Sequence, residues 1–166
     1  MTELSGPVAG GGEPAMEART HPALMDPEVG LPNRLHFDLV HGYLFYAGER
    51  GLPFTVMMVS TGLGEGAPVE EVRRIGQHVQ EVARTADVVT HLDNGRYLLL
   101  LSGTNSSGAR VAADRVEGAI GDVVPGPISF GLATYDRAVK DPQTLVDSAG
   151  GALDAAEAAG GGVQFA

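Results

Sequence analysis

The sequence predicts an α/β sandwich in which helices cover a mixed sheet. Three observations carry that class. Short apolar runs bounded by Gly and Pro, such as Phe54-Thr55-Val56-Met57-Met58-Val59, read as buried strands. Longer segments with apolar residues at helical spacing alternate with those runs. Between Val88-Val89-Thr90-His91-Leu92 and Tyr97-Leu98-Leu99-Leu100-Leu101 stands Asp93-Asn94-Gly95-Arg96. Asn-Gly between two such runs is the strongest short-range hairpin signal, because a type I′ turn needs φ > 0 at both central residues. A hairpin flanked by helical crossovers gives a sheet of mixed direction.

The elements follow in order. Residues 1–21 are rich in Gly, Pro, Ala and Glu and poor in large apolar side chains. Such a segment cannot offset its ordering entropy by burial, so it reads as a disordered tail or linker. Residues 22–166 form the single domain. Residues 32–50 are the first helix, with Leu35, Leu39, Tyr43 and Tyr46 as its apolar stripe; Tyr43, Phe45 and Tyr46 are assigned to core or dimer surface. Gly51-Leu52-Pro53 stops it, and residues 54–59 are the central strand. Residues 62–68 are a loop. Residues 69–84 make a second helix, with Val72, Ile75, Val79 and Val82 on one face. After the hairpin, residues 105–121 are a third helix, capped by Asn or Ser. Residues 128–135 are a strand and 141–159 a fourth helix. Val163-Gln164-Phe165 adds a short edge strand.

Composition excludes several functions. The 166 residues contain no cysteine, so disulfides and thiolate metal sites are out. The net charge of −10 argues against non-specific nucleic-acid binding, which needs clustered Lys and Arg. It leaves room for a small phosphorylated ligand held by a few arginines. No apolar run approaches a membrane span, and the N-terminus has no secretory pattern, so a cytoplasmic location is expected by elimination. His91 and Asp93 share a strand face without a third ligand, and no metal is expected. No cofactor is expected either.

Four segments in order carry a resemblance to a known family. They are Asp26-Pro27-Glu28-Val29-Gly30-Leu31-Pro32-Asn33-Arg34, the hairpin tip Asp93-Asn94-Gly95-Arg96-Tyr97, the strand Ile128-Ser129-Phe130-Gly131-Leu132-Ala133, and the helix from Leu145 to Gly160. Together they resemble the GGDEF domains of bacterial diguanylate cyclases, with the GGDEF motif replaced by DNGRY. The resemblance implies a palm-like sandwich with a mostly antiparallel central sheet. It also implies a reaction that joins two GTP molecules into cyclic di-GMP on a divalent metal.

The residues that the resemblance assigns to that reaction are replaced. Ser60 stands where the family's metal-binding carboxylate ends the central strand. Gly95 stands for the second metal ligand and Arg96 for the next acid. Glu157 and Gly161 take the places of phosphate-binding Lys and Arg. The connection from Ser60 to Pro68 is too short for the family's guanine-reading helix. Asp93, Asn94, Gly95, Arg96 and Tyr97 are therefore degenerate active-site positions. No catalytic residue is expected, and cyclase activity is expected to be lost.

One site of the family is retained in the sequence. Arg84-Thr85-Ala86-Asp87 matches its R-x-x-D inhibitory site, with five residues separating Asp87 from Asp93, and Arg115 matches an Arg of the next helix. The resemblance implies that Arg84, Asp87 and Arg115 bind cyclic di-GMP at the surface. A guanidinium forks onto phosphate or guanine acceptors, and a carboxylate accepts guanine N–H groups. In the family a second domain often adds an Arg, and Arg73, Arg74 and Arg110 are the candidates here. The expected function is an inactive signalling domain that senses cyclic di-GMP. The alternative is a protein-interaction or dimerisation module without a nucleotide, acting on an unknown protein partner or as a homodimer.

Overall fold

The computed structural model describes residues 21–93 and 95–166. The expected tail at residues 1–20 and Asn94 lie outside the described residues. A small antiparallel pair, β1 (Met25–Asp26) and β2 (Leu31–Pro32), precedes the main domain. Then come α1 (Arg34–Gly48), β3 (Phe54–Ser60), α2 (Val69–Val82), β4 (Val88–His91) and β5 (Arg96–Ser102). The chain continues as α3 (Ser106–Ile120), β6 (Ser129–Thr134), α4 (Pro142–Ala158) and β7 (Gly162–Phe165). The main sheet has the order β4-β5-β3-β6-β7. Only the β6–β7 contact is parallel, so the sheet is mixed and mostly antiparallel, in agreement with the sequence.

β3 is the centre, and all seven of its residues are buried. Side chains alternate across a strand, so the two faces need separate cover. Met57 and Val59 pack under α2 and α3 with Ile75, Val79, Ala113 and Ile120. Phe54, Val56 and Met58 pack under α1 and α4 with Phe37, Phe45, Leu145 and Leu153. α4 approaches so closely that a Cβ on Gly131 of β6 would lie 2.2 Å from the Ala149 carbonyl and 2.3 Å from Leu153 N. Only glycine permits that contact between backbones.

Several boundaries differ from expectation, each for a local reason. The first helix begins at Arg34 rather than residue 32, because Pro32 pairs with Met25 in the small sheet. Asn33 caps it, its side chain accepting from His36 N–H at 3.0 Å. The small sheet itself was not legible as an element. Its turn is organised by the Asp26 carboxylate, which accepts from Glu28 N–H at 2.9 Å, and by Gly30 at φ 74°. Asn105 and Asp141 cap α3 and α4. β7 confirms the expected edge strand.

The stripe assigned to α1 is a correction. Leu35, Leu39, Tyr43 and Tyr46 are 52, 58, 74 and 73% exposed. The buried face instead carries Phe37, His41, Leu44, Phe45 and Gly48. The helix has apolar side chains on two faces, and spacing alone cannot choose between them. The sheet took the face whose aromatic rings fit Phe54 and Tyr135: Phe45 meets Tyr135 edge-on at 5.3 Å, and Tyr135 stacks on Phe54 at 5.1 Å. Among the described residues, no helix is long and apolar enough to cross a membrane.

His41 is the cost of that choice. It is 2% exposed, wedged edge-on between Phe37 and Phe54 at 5.4 and 5.7 Å. Burial holds its pKa down to about 4 from 6.5, outweighing the pull of Asp38. The unfolded chain therefore takes up a proton at His41 before the folded one does. Its contribution is complete above pH 6.5 and is lost as the pH falls toward 4. The loss amounts to about 3 kcal/mol at the acid end of that window. Urea unfolding across the window is expected to show this acid slope, and His41→Leu to remove most of it. A variant with an unchanged slope would show that His41 is not the group responsible.

Candidate functional site

The candidate residues fall into two groups at opposite ends of β5. The first group lies at the hairpin end. Ser60 ends β3, and the register sets it opposite Arg96 on β5 and Ser129 on β6. The hairpin closes with Arg96 N–H donating to the Asp93 carbonyl at 2.7 Å, while Leu92 N–H donates to the Arg96 carbonyl at 2.9 Å. The first of these bonds spans three positions, as a tight hairpin turn requires, and Gly95 adopts the expected positive φ of 71°. Asp93 at the tip is exposed.

Behind the tip, the strand-to-helix connection is pinned to the hairpin. Thr61 donates to the Gly95 carbonyl twice, from N–H at 3.1 Å and from Oγ1 at 2.7 Å. A Cβ at Gly95 would lie 2.6 Å from both Thr61 Oγ1 and Leu63 Cβ. Gly95 is therefore held by close approach as well as by its left-handed backbone. The sequence showed the missing acid but gave no sign of this contact.

Arg96 and Glu157 are brought together. Arg96 Nη2 lies 3.1 and 3.0 Å from the two carboxylate oxygens of Glu157, with each side chain about one-third exposed. The resemblance puts an acid at the first position and a base at the second, so the pair has exchanged signs. Gly161 lies in the turn after α4, at φ 118°, its N–H bonded to the Ala156 carbonyl at 2.9 Å. That bond, with Gly160 N–H to the Glu157 carbonyl, is a helix C-terminal cap. Tyr97 belongs to the core. It is fully buried, its hydroxyl donates to the Val72 carbonyl at 2.6 Å, and burial raises its pKa.

The family's metal does not fit these residues. A divalent cation needs hard, preferably charged, oxygen ligands. Ser60 offers a neutral hydroxyl, Gly95 offers no side chain, and Arg96 brings a positive charge. Among the described residues, no cluster of three His, Asp or Glu is placed to hold a metal.

The second group lies at the far end of β5, about 20 Å along the strand from the hairpin end. α2 stops at Val82, two residues earlier than expected, and the chain turns into β4. Asp87 organises that turn. One carboxylate oxygen accepts from Arg84 N–H at 2.9 Å and the other from Ser102 N–H at 3.1 Å. Asp87 is 8% exposed, so the expectation of a surface carboxylate is corrected. The backbone needs it as an acceptor at the junction of two strands. Burial raises its pKa, opposed by the two backbone bonds and by the charges of Arg84 and Arg115.

Both arginines lie near enough to Asp87 for their charges to act on its carboxylate. Arg84 is exposed. Arg115 is half-buried on α3, and its Nε is buried without a hydrogen-bond partner among the described residues. A cavity of about 160 Å³ adjoins the site, lined in part by Pro32, His36, Gln80, Arg84 and Asp87. Its walls come from β2, α1, α2, β4 and the turn between the last two, so no local spacing announced it. Of the arginines considered for a second-domain role, Arg73 is committed to its own domain. It bonds the Glu28 carbonyl through Nε at 2.9 Å and through Nη2, and also pairs with Glu70. Arg74 and Arg110 are exposed.

Comparison with solved structures identifies the class of fold. The chain aligns with the GGDEF domain of DgcB from Caulobacter crescentus, solved in complex with c-di-GMP, at TM-score 0.74 and 15% identity over 87% of this chain and 96% of that one. It aligns with the FimX GGDEF domain from Pseudomonas aeruginosa at TM-score 0.70 and 19% identity, over 86% and 99% of the two chains. Diguanylate cyclase SiaD from Pseudomonas aeruginosa, in complex with its activator SiaC, aligns at TM-score 0.75 and 20% identity over 92% of this chain and 64% of that one. The fold is the GGDEF-domain fold. No protein-family model and no curated protein matches the sequence.

The hairpin geometry makes motif restoration a stability experiment. Gly95→Glu is expected to cost at least about 2 kcal/mol, from the left-handed backbone and the blocked Cβ direction. Arg96→Glu sets a second carboxylate against Glu157 and is expected to destabilise further. Thermal melts of the single and double variants read both effects. A Gly95→Glu protein that melts with the wild type would refute the close approach.

Proposed function

We propose that this chain is a catalytically inactive GGDEF-type signalling domain that binds cyclic di-GMP through Arg84, Asp87 and Arg115. The observation that carries the reading is a cavity walled in part by Arg84 and Asp87, with Arg115 near enough to act on Asp87 electrostatically and its Nε buried without a partner among the described residues. An unpaired buried donor costs about 1–3 kcal/mol, which an acceptor on a ligand would recover. Phosphate and the guanine O6 and N7 atoms are such acceptors. Asp87 uses one acceptor position on each oxygen for the backbone, and each oxygen has another for a guanine N–H. The similarly folded DgcB domain, solved with c-di-GMP, supports this choice of ligand.

The inactivity reading rests on the hairpin end. Ser60, Gly95 and Arg96 supply no carboxylate for a metal, and Glu157 would repel a triphosphate while it neutralises Arg96. Incubation with GTP and Mg²⁺ or Mn²⁺ is expected to yield no cyclic di-GMP above a no-protein blank. Product above that blank, abolished by Arg96→Ala, would overturn the reading.

Calorimetry with cyclic di-GMP tests the receptor. Binding of a stacked nucleotide pair is expected, weakening with added salt. Arg84→Ala removes an exposed side chain and leaves the backbone bond to Asp87 in place, so it is the clean variant. It is expected to weaken binding at least about a hundredfold, since a forked guanidinium makes two charge-assisted bonds. Arg115→Ala should have a smaller effect. Asp87→Ala removes the acceptor of two backbone N–H groups and is expected to unfold at lower denaturant, so it does not test binding alone. Absence of heat with the wild type at high micromolar nucleotide would end the receptor reading.

A further inference from the structure

We infer that the exposed face of α1 is a self-association surface, through which two copies of this chain pair with their α1 helices antiparallel. This does not depend on nucleotide binding. Leu35, Leu39, Tyr43 and Tyr46 stand at helical spacing on one side of α1, and each is more than half exposed. Their exposed surface is roughly 500 Å², the size of the largest apolar patch on a monomer, and patches of that size are often functional. Two copies would bury about 1,000 Å², the lower bound of a specific interface, so the dimer is reversible and concentration-dependent.

The order of side chains favours a second copy over other occupants. A two-fold interface needs residue i to meet j while j meets i. Leu39 and Tyr43 are centred on position 41, and Leu35 and Tyr46 are centred within half a residue of it. A two-fold axis there sets Leu against Tyr at both places in both copies. Gly42 lies beside the axis, and a Cβ built on it meets nothing within 4 Å, so the helices can approach closely. Asp38 at the edge of the stripe is already paired with Arg34 at 2.8 Å. Residues 1–20 are a poor occupant, because Leu4, Val8 and Met16 are few and stand among glycines and prolines that disfavour a helix.

The charge predicts a direction with salt. Each copy carries a net charge of −10, so the copies repel while the interface itself is apolar. Association is expected to strengthen as salt is added, opposite to binding of an anionic nucleotide.

Sedimentation equilibrium of the full chain, from low to high micromolar, tests the proposal. A monomer–dimer equilibrium favoured by salt is expected. Tyr43→Glu and Leu39→Glu should each abolish it without changing the melting temperature, because both side chains face solvent. Val111→Glu, at an exposed apolar residue on α3, should leave it intact. The chain has no cysteine, so single cysteines report on geometry. Gly42→Cys should form an intermolecular disulfide readily. Arg50→Cys should not, because antiparallel helices place the two copies of that position about 27 Å apart along the axis. A monomer at every concentration and salt, or a dimer indifferent to Tyr43→Glu, would overturn the proposal. So would efficient cross-linking at position 50.

Discussion

β3 must be covered on both faces, and the rest of the molecule is arranged to do so. Its seven buried residues divide by alternation into two sets, each with its own helical layer. β5 and β6 satisfy its backbone on either side, and they are as apolar as it is. Each large side chain removed from water contributes about 1.5–3 kcal/mol, so an exposed β3 face would cost a large share of a domain's net stability. The approach of α4 to Gly131 follows from the same demand. The helix covers the sheet most tightly where a side chain is missing, and that depth delivers Glu157 to Arg96.

The two candidate sites sit at opposite ends of the same strand, and that separation has consequences. At the hairpin end, Ser60 and Arg96 face each other because the ladder register sets them there. At the other end, Asp87 ties the start of β4 to Ser102 at the close of β5. Changes at sites about 20 Å apart along a strand with no shared partner are close to additive. Carboxylates at the hairpin end can therefore be exchanged without disturbing the turn at Asp87. An arginine-rich surface can persist on a domain whose other end holds a closed ion pair.

Asp87 also shows how a candidate binding residue can be secured by structure. Its carboxylate is an acceptor for two backbone N–H groups, so replacing it weakens the fold whether or not a ligand binds. Arg84 lies under no such constraint, because the turn uses its backbone and leaves its side chain exposed. An R-x-x-D pattern therefore has unequal members. The acid has a structural reason to be present, and the arginine is the more informative residue about ligand.

The sequence by itself determined the order of the elements, the mixed sheet, the hairpin and its Gly95, and the edge strand, because those depend on periodicity and on residues that restrict φ. It also showed Gly95 and Arg96 where the resemblance places acids, since charge is readable without coordinates. Tertiary structure decided which apolar face of α1 is buried, because both faces satisfy helical spacing and only the rings of Phe54 and Tyr135 discriminate between them. It decided that Asp87 is buried, that Tyr97 is core, and that Thr61 occupies the space against Gly95. It paired Arg96 with Glu157 across 61 positions of sequence. Contacts of that range depend on how sheet and helices stack, and local spacing carries no information about the distance between two elements.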